Sequence, residues 1–126
     1  MLHLVEPLGF DMDDAKLRRA GLDYHDLAHV RVHKSLDEAL AQVPGHVWAL
    51  TGHASTMYSD VSYKDGDGLL FGRESVGLSE DAMNHPRVAD RVRIQMVEGV
   101  RSLNLANSAS IVLYEAWRQL GFPGGV

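Results

Sequence analysis

The chain has 126 residues, 45% hydrophobic and 23% charged, which is enough apolar material for one buried core and excludes the apolar-poor, charge-rich composition of disordered chains. It contains no cysteine, so disulfides, thiolate metal sites and cysteine nucleophiles are excluded, in keeping with a reducing cytoplasm. Its formal charge of −5 argues against nucleic-acid binding over the whole surface, so contact with phosphates has to come from local clusters of Arg and Lys.

The elements alternate along the chain. Leu2 to Glu6 is a short apolar run stopped by Pro7 and Gly9, and reads as a buried strand. Asp13 to Ala20 reads as a helix, with acids in its first turn, Arg18 and Arg19 in its last, and Gly21 beyond its end. His29 to Val32 is a second strand. Ser35 and Glu38 form a capping box that opens a helix reaching about Gln42, closed by Pro44 and Gly45. Val47 to Leu50 is a third strand, Thr51 to Gly68 a polar irregular segment, and Leu69 to Phe71 a fourth strand before the Gly72 turn. Arg91 to Ile94 is a fifth strand. Asn104 to Leu120 is the longest helix, with Ala106, Ala109, Leu113, Ala116 and Leu120 expected on its buried face and Gly121 as its stop.

Strands alternating with helices predict an α/β domain with a parallel sheet whose faces are covered by helices. Ligands of such sheets bind beyond the carboxyl ends of the strands. The segments following Leu50, Phe71 and Ile94 are therefore the candidate site.

Two clusters fall on those segments. Phe71-Gly72-Arg73-Glu74-Ser75-Val76-Gly77-Leu78 brackets a charged loop with two glycines, which admit close backbone approach. Ile94-Gln95-Met96, followed by Arg101-Ser102-Leu103-Asn104-Leu105-Ala106-Asn107, leads into the last helix, where Ser102 or Asn104 could cap the helix or face a ligand.

Other signals are weaker. His25, His29 and His33 recur every four residues, but the Val30 and Val32 alternation favours a strand and no His-Glu-x-x-His pattern is present, so no metal site is expected. Ser55, Ser59 and Ser62 lack a nucleophile-elbow context. Trp48 and Trp117 read as core or dimer-contact residues. The bases gather in Arg18 and Arg19, in Arg31 and Lys34, and in Arg87, Arg91, Arg93 and Arg101, any of which could form a basic face. No apolar run approaches the roughly 18 residues of a membrane span, and the amino terminus lacks a leader pattern, so a cytoplasmic protein without membrane association is expected.

Taken together, Phe71-Gly72-x-Glu74-x-x-Gly77-Leu78, Ile94-x-Met96, Ser102-Leu103-Asn104-Leu105-x-Asn107-Ser108-x-Ser110 and Tyr114-Glu115-Ala116-Trp117 resemble the SPOUT superfamily of RNA methyltransferases. The likeness is greatest to its YibK-like (TrmL) branch, the tRNA wobble-nucleotide 2′-O-methyltransferases. Leu4 to Phe10, Leu17 to His25 and Val61 to Asp67 support that branch, and the likeness runs from Leu2 to Gly124. It implies a single domain with a carboxyl-terminal trefoil knot, a homodimer, S-adenosylmethionine as cofactor and tRNA as substrate. The cofactor residues it implies are Leu50, Gly72, Ile94, Met96, Ser102 and Leu103, with Asn104 and Tyr114 toward the target nucleotide.

Two departures from the family pattern follow. The chain starts after the family's first strand and helix, without the arginine thought to help activate the 2′-hydroxyl. It is expected to be incomplete at its amino terminus, so its catalytic residue is left unassigned and a cofactor- or RNA-binding module without turnover is the alternative. Gln95 replaces the usual proline of an Ile-Pro-Met turn, which should loosen that loop. A generic flavodoxin-like nucleotide binder is a third reading.

Overall fold

The computed structural model describes residues 2–5, 30–72, 77–96 and 105–126. These fall into two units, Met1–Gln42 and Val43–Val126. The expected helix over Asp13 to Ala20 lies outside the described residues, as do His25 and His29.

In the first unit, β1 (Leu2–Val5) pairs in parallel with β2 (Val30–His33), Leu2 opposite Val30 and Val5 opposite His33. A short helix, α1 (Leu36–Leu40), follows at once. Ser35 caps it as its sequence requires, its hydroxyl accepting from the Glu38 N–H at 3.2 Å. The Glu38 carboxylate lies 3.4 Å from Nδ1 of His33, which is 4% exposed. On its other side His33 Nε2 meets Nδ1 of His3 at 2.8 Å with the rings stacked. The third member of the histidine series is thus a buried strand residue, and among the described residues no cluster suited to a metal occurs.

The second unit is built on a four-stranded, all-parallel sheet. Its strands are β3 (Val47–Leu50), β4 (Thr56–Met57), β5 (Gly68–Leu70) and β6 (Val88–Arg93), in the order β4-β6-β3-β5. The α/β class with parallel pairing is as the sequence predicts. A 3-10 turn (Tyr58–Asp60), α2 (Glu80–Met83) and α3 (Leu105–Gln119) complete the unit. The trefoil threading expected from the sequence involves segments 73–76 and 97–104, which lie outside the described residues.

Several boundaries differ from expectation. The segment from Thr51 to Gly68 is not wholly irregular, because Thr56 and Met57 pair with Val92 and Arg93, and Thr56 Oγ1 donates to Asp90 at 3.0 Å. A two-residue strand is too short to show the period-2 alternation that reveals longer ones. β6 begins three residues earlier than expected, at Val88, since Val88 and Asp90 already pair with Val47 and Trp48. The helix α2, capped by Ser79, has no sequence-level counterpart, being only one turn long.

The core gathers under α3. Leu50, Val61, Tyr63, Val92 and Val112 are buried together, with Trp48, Tyr58, Leu69, Phe71, Ile94 and Ala116 packed against them. The buried face of α3 is therefore centred on Val112, which is 0% exposed; of the expected row through Ala106, Ala109, Leu113, Ala116 and Leu120, Ala109 and Ala116 are half-buried and Ala116 packs against the core. Leu113 is 60% exposed, and Ala106 and Leu120 are exposed as well. The row through Ser108, Val112, Glu115, Ala116 and Gln119 wins because Glu115 and Gln119 are anchored. Gln119 Nε2 donates to Val61 O at 2.8 Å, its Oε1 accepts from the Tyr63 N–H at 2.9 Å, and Glu115 clasps Arg118 and Gln119.

Candidate functional site

Parallel pairing with little stagger brings the carboxyl ends of three strands to one edge. Ala49 lies opposite Leu70 on one side and Arg91 on the other, and Leu50 lies opposite Val92. The chain therefore leaves β3 at Thr51, β5 at Phe71 and Gly72, and β6 at Ile94 along the same rim. With strands about 4.8 Å apart, the two outer exits lie roughly 10 Å from each other across β3. Thr51 is tied to the rim by its N–H, which donates to Val92 O at 2.9 Å.

The walls of this rim are apolar. Leu50 belongs to the buried core, and Phe71 and Ile94 are half-buried against it. Met96 is exposed beside exposed Gln95. The Gly72 turn is a close backbone approach: a Cβ there would stand 2.1 Å from the Gly77 carbonyl carbon and 2.2 Å from the Leu78 nitrogen. Gly77 takes φ 71°, a left-handed conformation that favours glycine. Glycine at both positions lets the chain return on itself after Gly72, which no side chain at Gly72 would permit.

Of the expected cofactor residues, the structure thus brings Leu50, Gly72 and Ile94 to the same rim, and Met96 follows Ile94 by two residues and is exposed. Ser102, Leu103 and Asn104 lie outside the described residues, as does the charged loop with Glu74. Tyr114 sits nine positions into α3, roughly 13 Å along the axis from Leu105, and is 62% exposed. Its ring meets Trp117 edge-on at 5.5 Å, and Trp117 in turn meets Phe122 at 4.9 Å.

Behind the rim, fixed polar contacts set the loops. Asp67 accepts from the His46 N–H, the Lys64 N–H and Trp48 Nε1 at 2.9, 3.0 and 3.0 Å. Burial alone would raise its pKa, but these three hydrogen bonds, with His46 nearby, outweigh it and hold the carboxyl below its ordinary value. Trp48 is therefore a core residue with a polar anchor. Tyr63 donates to Tyr58 O at 2.6 Å, and burial, then Glu115 and Tyr58, push its hydroxyl up to about 12, so it remains a donor. Sequence reasoning assigned no role to Asp67, Tyr63 or Gln119. The Asp65-Gly66-Asp67 turn, with Gly66 at φ 89°, was the one local signal available for the first of them.

The basic cluster is partly consumed by structure. Arg87 Nη2 donates to Val43 O and Gly45 O at 2.6 and 2.8 Å, and Arg91 Nη2 donates to Asn84 Oδ1 at 2.6 Å with Glu80 at 3.4 Å. Arg93 is different, because its Nε is buried with no hydrogen-bond partner among the described residues. Ser55 and Ser62 are exposed loop residues, and Ser59 is exposed within the 3-10 turn. No helix among the described residues is long and apolar enough to cross a membrane.

The chain is similar over nearly its whole length to known RNA methyltransferases. Residues 1–114 match the SpoU rRNA Methylase family. A tRNA (cytidine(34)-2'-O)-methyltransferase from Burkholderia ambifaria is 48% identical over 127 aligned positions, covering 98% of this chain and 81% of the relative. A solved structure described as giving insights into the 2-OH methylation of C/U34 on tRNA superposes with a TM-score of 0.83 at 40% identity, over 95% of this chain and 78% of that one. The SpoU methyltransferase AviRb from Streptomyces viridochromogenes, solved with the cofactor AdoMet, superposes with a TM-score of 0.76 at 25% identity, over 94% of this chain and 49% of that one.

Proposed function

The chain belongs to the SpoU rRNA Methylase family, and from that premise we propose that it transfers a methyl group from S-adenosylmethionine to the ribose 2′-hydroxyl of the tRNA wobble nucleotide. The observation that carries the reading is the shared rim at Leu50, Gly72 and Ile94, closed by the Gly72 to Gly77 backbone contact. That rim suits the cofactor: an adenine ring needs an apolar slot with backbone amides beside it, and Leu50, Ile94 and Met96 offer the one while Thr51 and Gly72 border the other. Ser102 and Leu103 complete the set in this proposal.

S-adenosylmethionine supplies a methyl group already activated by its sulfonium. What remains for the protein is position and charge: holding the cofactor at the rim, aligning the ribose hydroxyl in line with the methyl, and stabilising the oxygen as its proton leaves. Asn104 and Tyr114 are the substrate-side candidates. The proposal includes a single knotted domain, a cytoplasmic location and a homodimer. Exposed Leu113, Tyr114 and Phe122, together with half-buried Trp117, form the apolar surface that a second copy would cover.

Calorimetric titration with S-adenosylhomocysteine, light scattering on the same sample, and transfer of labelled methyl to unmodified tRNA test the reading. One cofactor per protomer of a dimer, with label at the wobble ribose, is expected. A folded chain that fails to bind S-adenosylhomocysteine would overturn the proposal, and binding without transfer would reduce it to a module without turnover.

A further inference from the structure

We propose that Arg93 recognises a backbone phosphate of the RNA substrate and so positions the RNA at the rim. This rests on the reading of the chain as a tRNA methyltransferase. Four arginines of the second unit fall among the described residues, and three are engaged within the fold. Arg87 holds two backbone carbonyls, Arg91 holds Asn84 and Glu80, and Arg118 is clasped by Glu115 at 2.8 and 3.0 Å. The guanidinium of Arg93 pairs with no described residue, and its Nε is buried without an acceptor among those residues. A buried charged donor left unsatisfied is costly, and such exceptions in a folded chain call for an explanation.

Its place in the sheet supplies one. Arg93 is the last residue of β6, opposite Met57 of β4 and one residue before Ile94. Val92 and Ile94 pack into the core under α3. Successive side chains of a strand point to opposite faces, so Arg93 is directed away from the apolar wall formed by Leu50 and Ile94. It therefore stands at the rim beside the cofactor slot without lining it. The guanidinium fork matches two oxygens of a phosphodiester, and a half-buried neck holds that fork in place before the ligand arrives. In a chain of net charge −5, one such cation at the rim matters to RNA affinity. The carboxylate of the cofactor is the competing anion.

The test compares Arg93→Gln and Arg93→Lys with the unaltered chain. Binding of a tRNA anticodon stem-loop is followed by fluorescence anisotropy across a salt series, and S-adenosylhomocysteine affinity is measured by calorimetry. Arg93→Gln should weaken RNA binding about tenfold and reduce the slope of log affinity against log salt by about 0.7–1, while S-adenosylhomocysteine affinity stays within about twofold, as expected for a residue outside the slot. Arg93→Lys should keep the slope and lose several-fold in affinity, because it keeps the charge without the fork. If Arg93→Gln does not fold, the lysine variant decides, and unchanged RNA affinity there overturns the proposal. An unchanged slope in Arg93→Gln, or loss of cofactor affinity alone, also overturns it, the latter assigning Arg93 to the carboxylate. If the unaltered chain binds S-adenosylhomocysteine but no RNA, the functional reading itself fails.

Discussion

Gln119, at the end of α3, holds Tyr63 from 56 residues away, its side-chain oxygen accepting the Tyr63 N–H at 2.9 Å while its amide donates to Val61 O at 2.8 Å. One amide group thereby satisfies both a donor and an acceptor of a loop that has no strand partner. The loop carries Val61 and Tyr63 into the core beneath Leu50, so the contact links the last helix to the floor of the rim at Thr51, Gly72 and Ile94.

Gln119→Leu should remove both bonds and leave two backbone groups of the loop unpaired. A loss of about 1–3 kcal/mol is expected in urea unfolding, together with weaker S-adenosylhomocysteine binding through the displaced floor. A loss below about 0.5 kcal/mol, the range of ordinary surface changes, would show that the bridge is not holding the helix.

The register of α3 is tested by two adjacent residues. Val112→Ala removes a fully buried side chain and should cost about 1.5–3 kcal/mol. Leu113→Ala should leave unfolding of the protomer within about 0.5 kcal/mol and instead weaken self-association, read by sedimentation. The reverse pattern would restore the row through Leu113 as the buried face.

At the rim, Gly72→Ala places a methyl group against the Gly77 backbone, where no side chain can yield. S-adenosylhomocysteine affinity should fall at least about tenfold, equivalent to about 1.4 kcal/mol. Retained affinity would mean that the Gly72 to Gly77 approach does not shape the slot.

In the first unit, His3 has its pKa lowered from the ordinary 6.5, by burial first and then by His33, the chain amino terminus and Arg31. A lowered value means that the folded state resists the proton more than the unfolded one. The contribution of His3 is therefore complete above pH 6.5 and is lost as pH falls below it through the lowered value. Unfolding midpoints measured from pH 8 to pH 5 should decline, and His3→Asn should flatten that decline. Equal slopes for both chains would remove His3 as the cause.

Of the positions that the resemblance implies for the cofactor, Leu50, Gly72 and Ile94 lie along one rim. Strand order gives the reason: a parallel sheet aligns its carboxyl ends, and β5, β3 and β6 are adjacent, so their exits become neighbours. Ser102, Leu103 and Asn104 lie outside the described residues, so their part in the site stays a proposal.

By itself the sequence determined the alternation of strands and helices, the cap at Ser35 and, to within one residue, the strand ends expected at Leu50, Phe71 and Ile94, because each is written in neighbouring residues through apolar runs, caps and glycines. Only the tertiary structure decided which row of α3 is buried, that Thr56 and Met57 form a strand, and that Arg87 and Arg91 are engaged while the Arg93 Nε finds no partner among the described residues. Those outcomes depend on partners far away in the chain. An arginine looks the same in sequence whether a distant carbonyl awaits it or nothing does, and a helix with apolar residues on more than one row is turned by the distant polar groups that only one of its rows can satisfy.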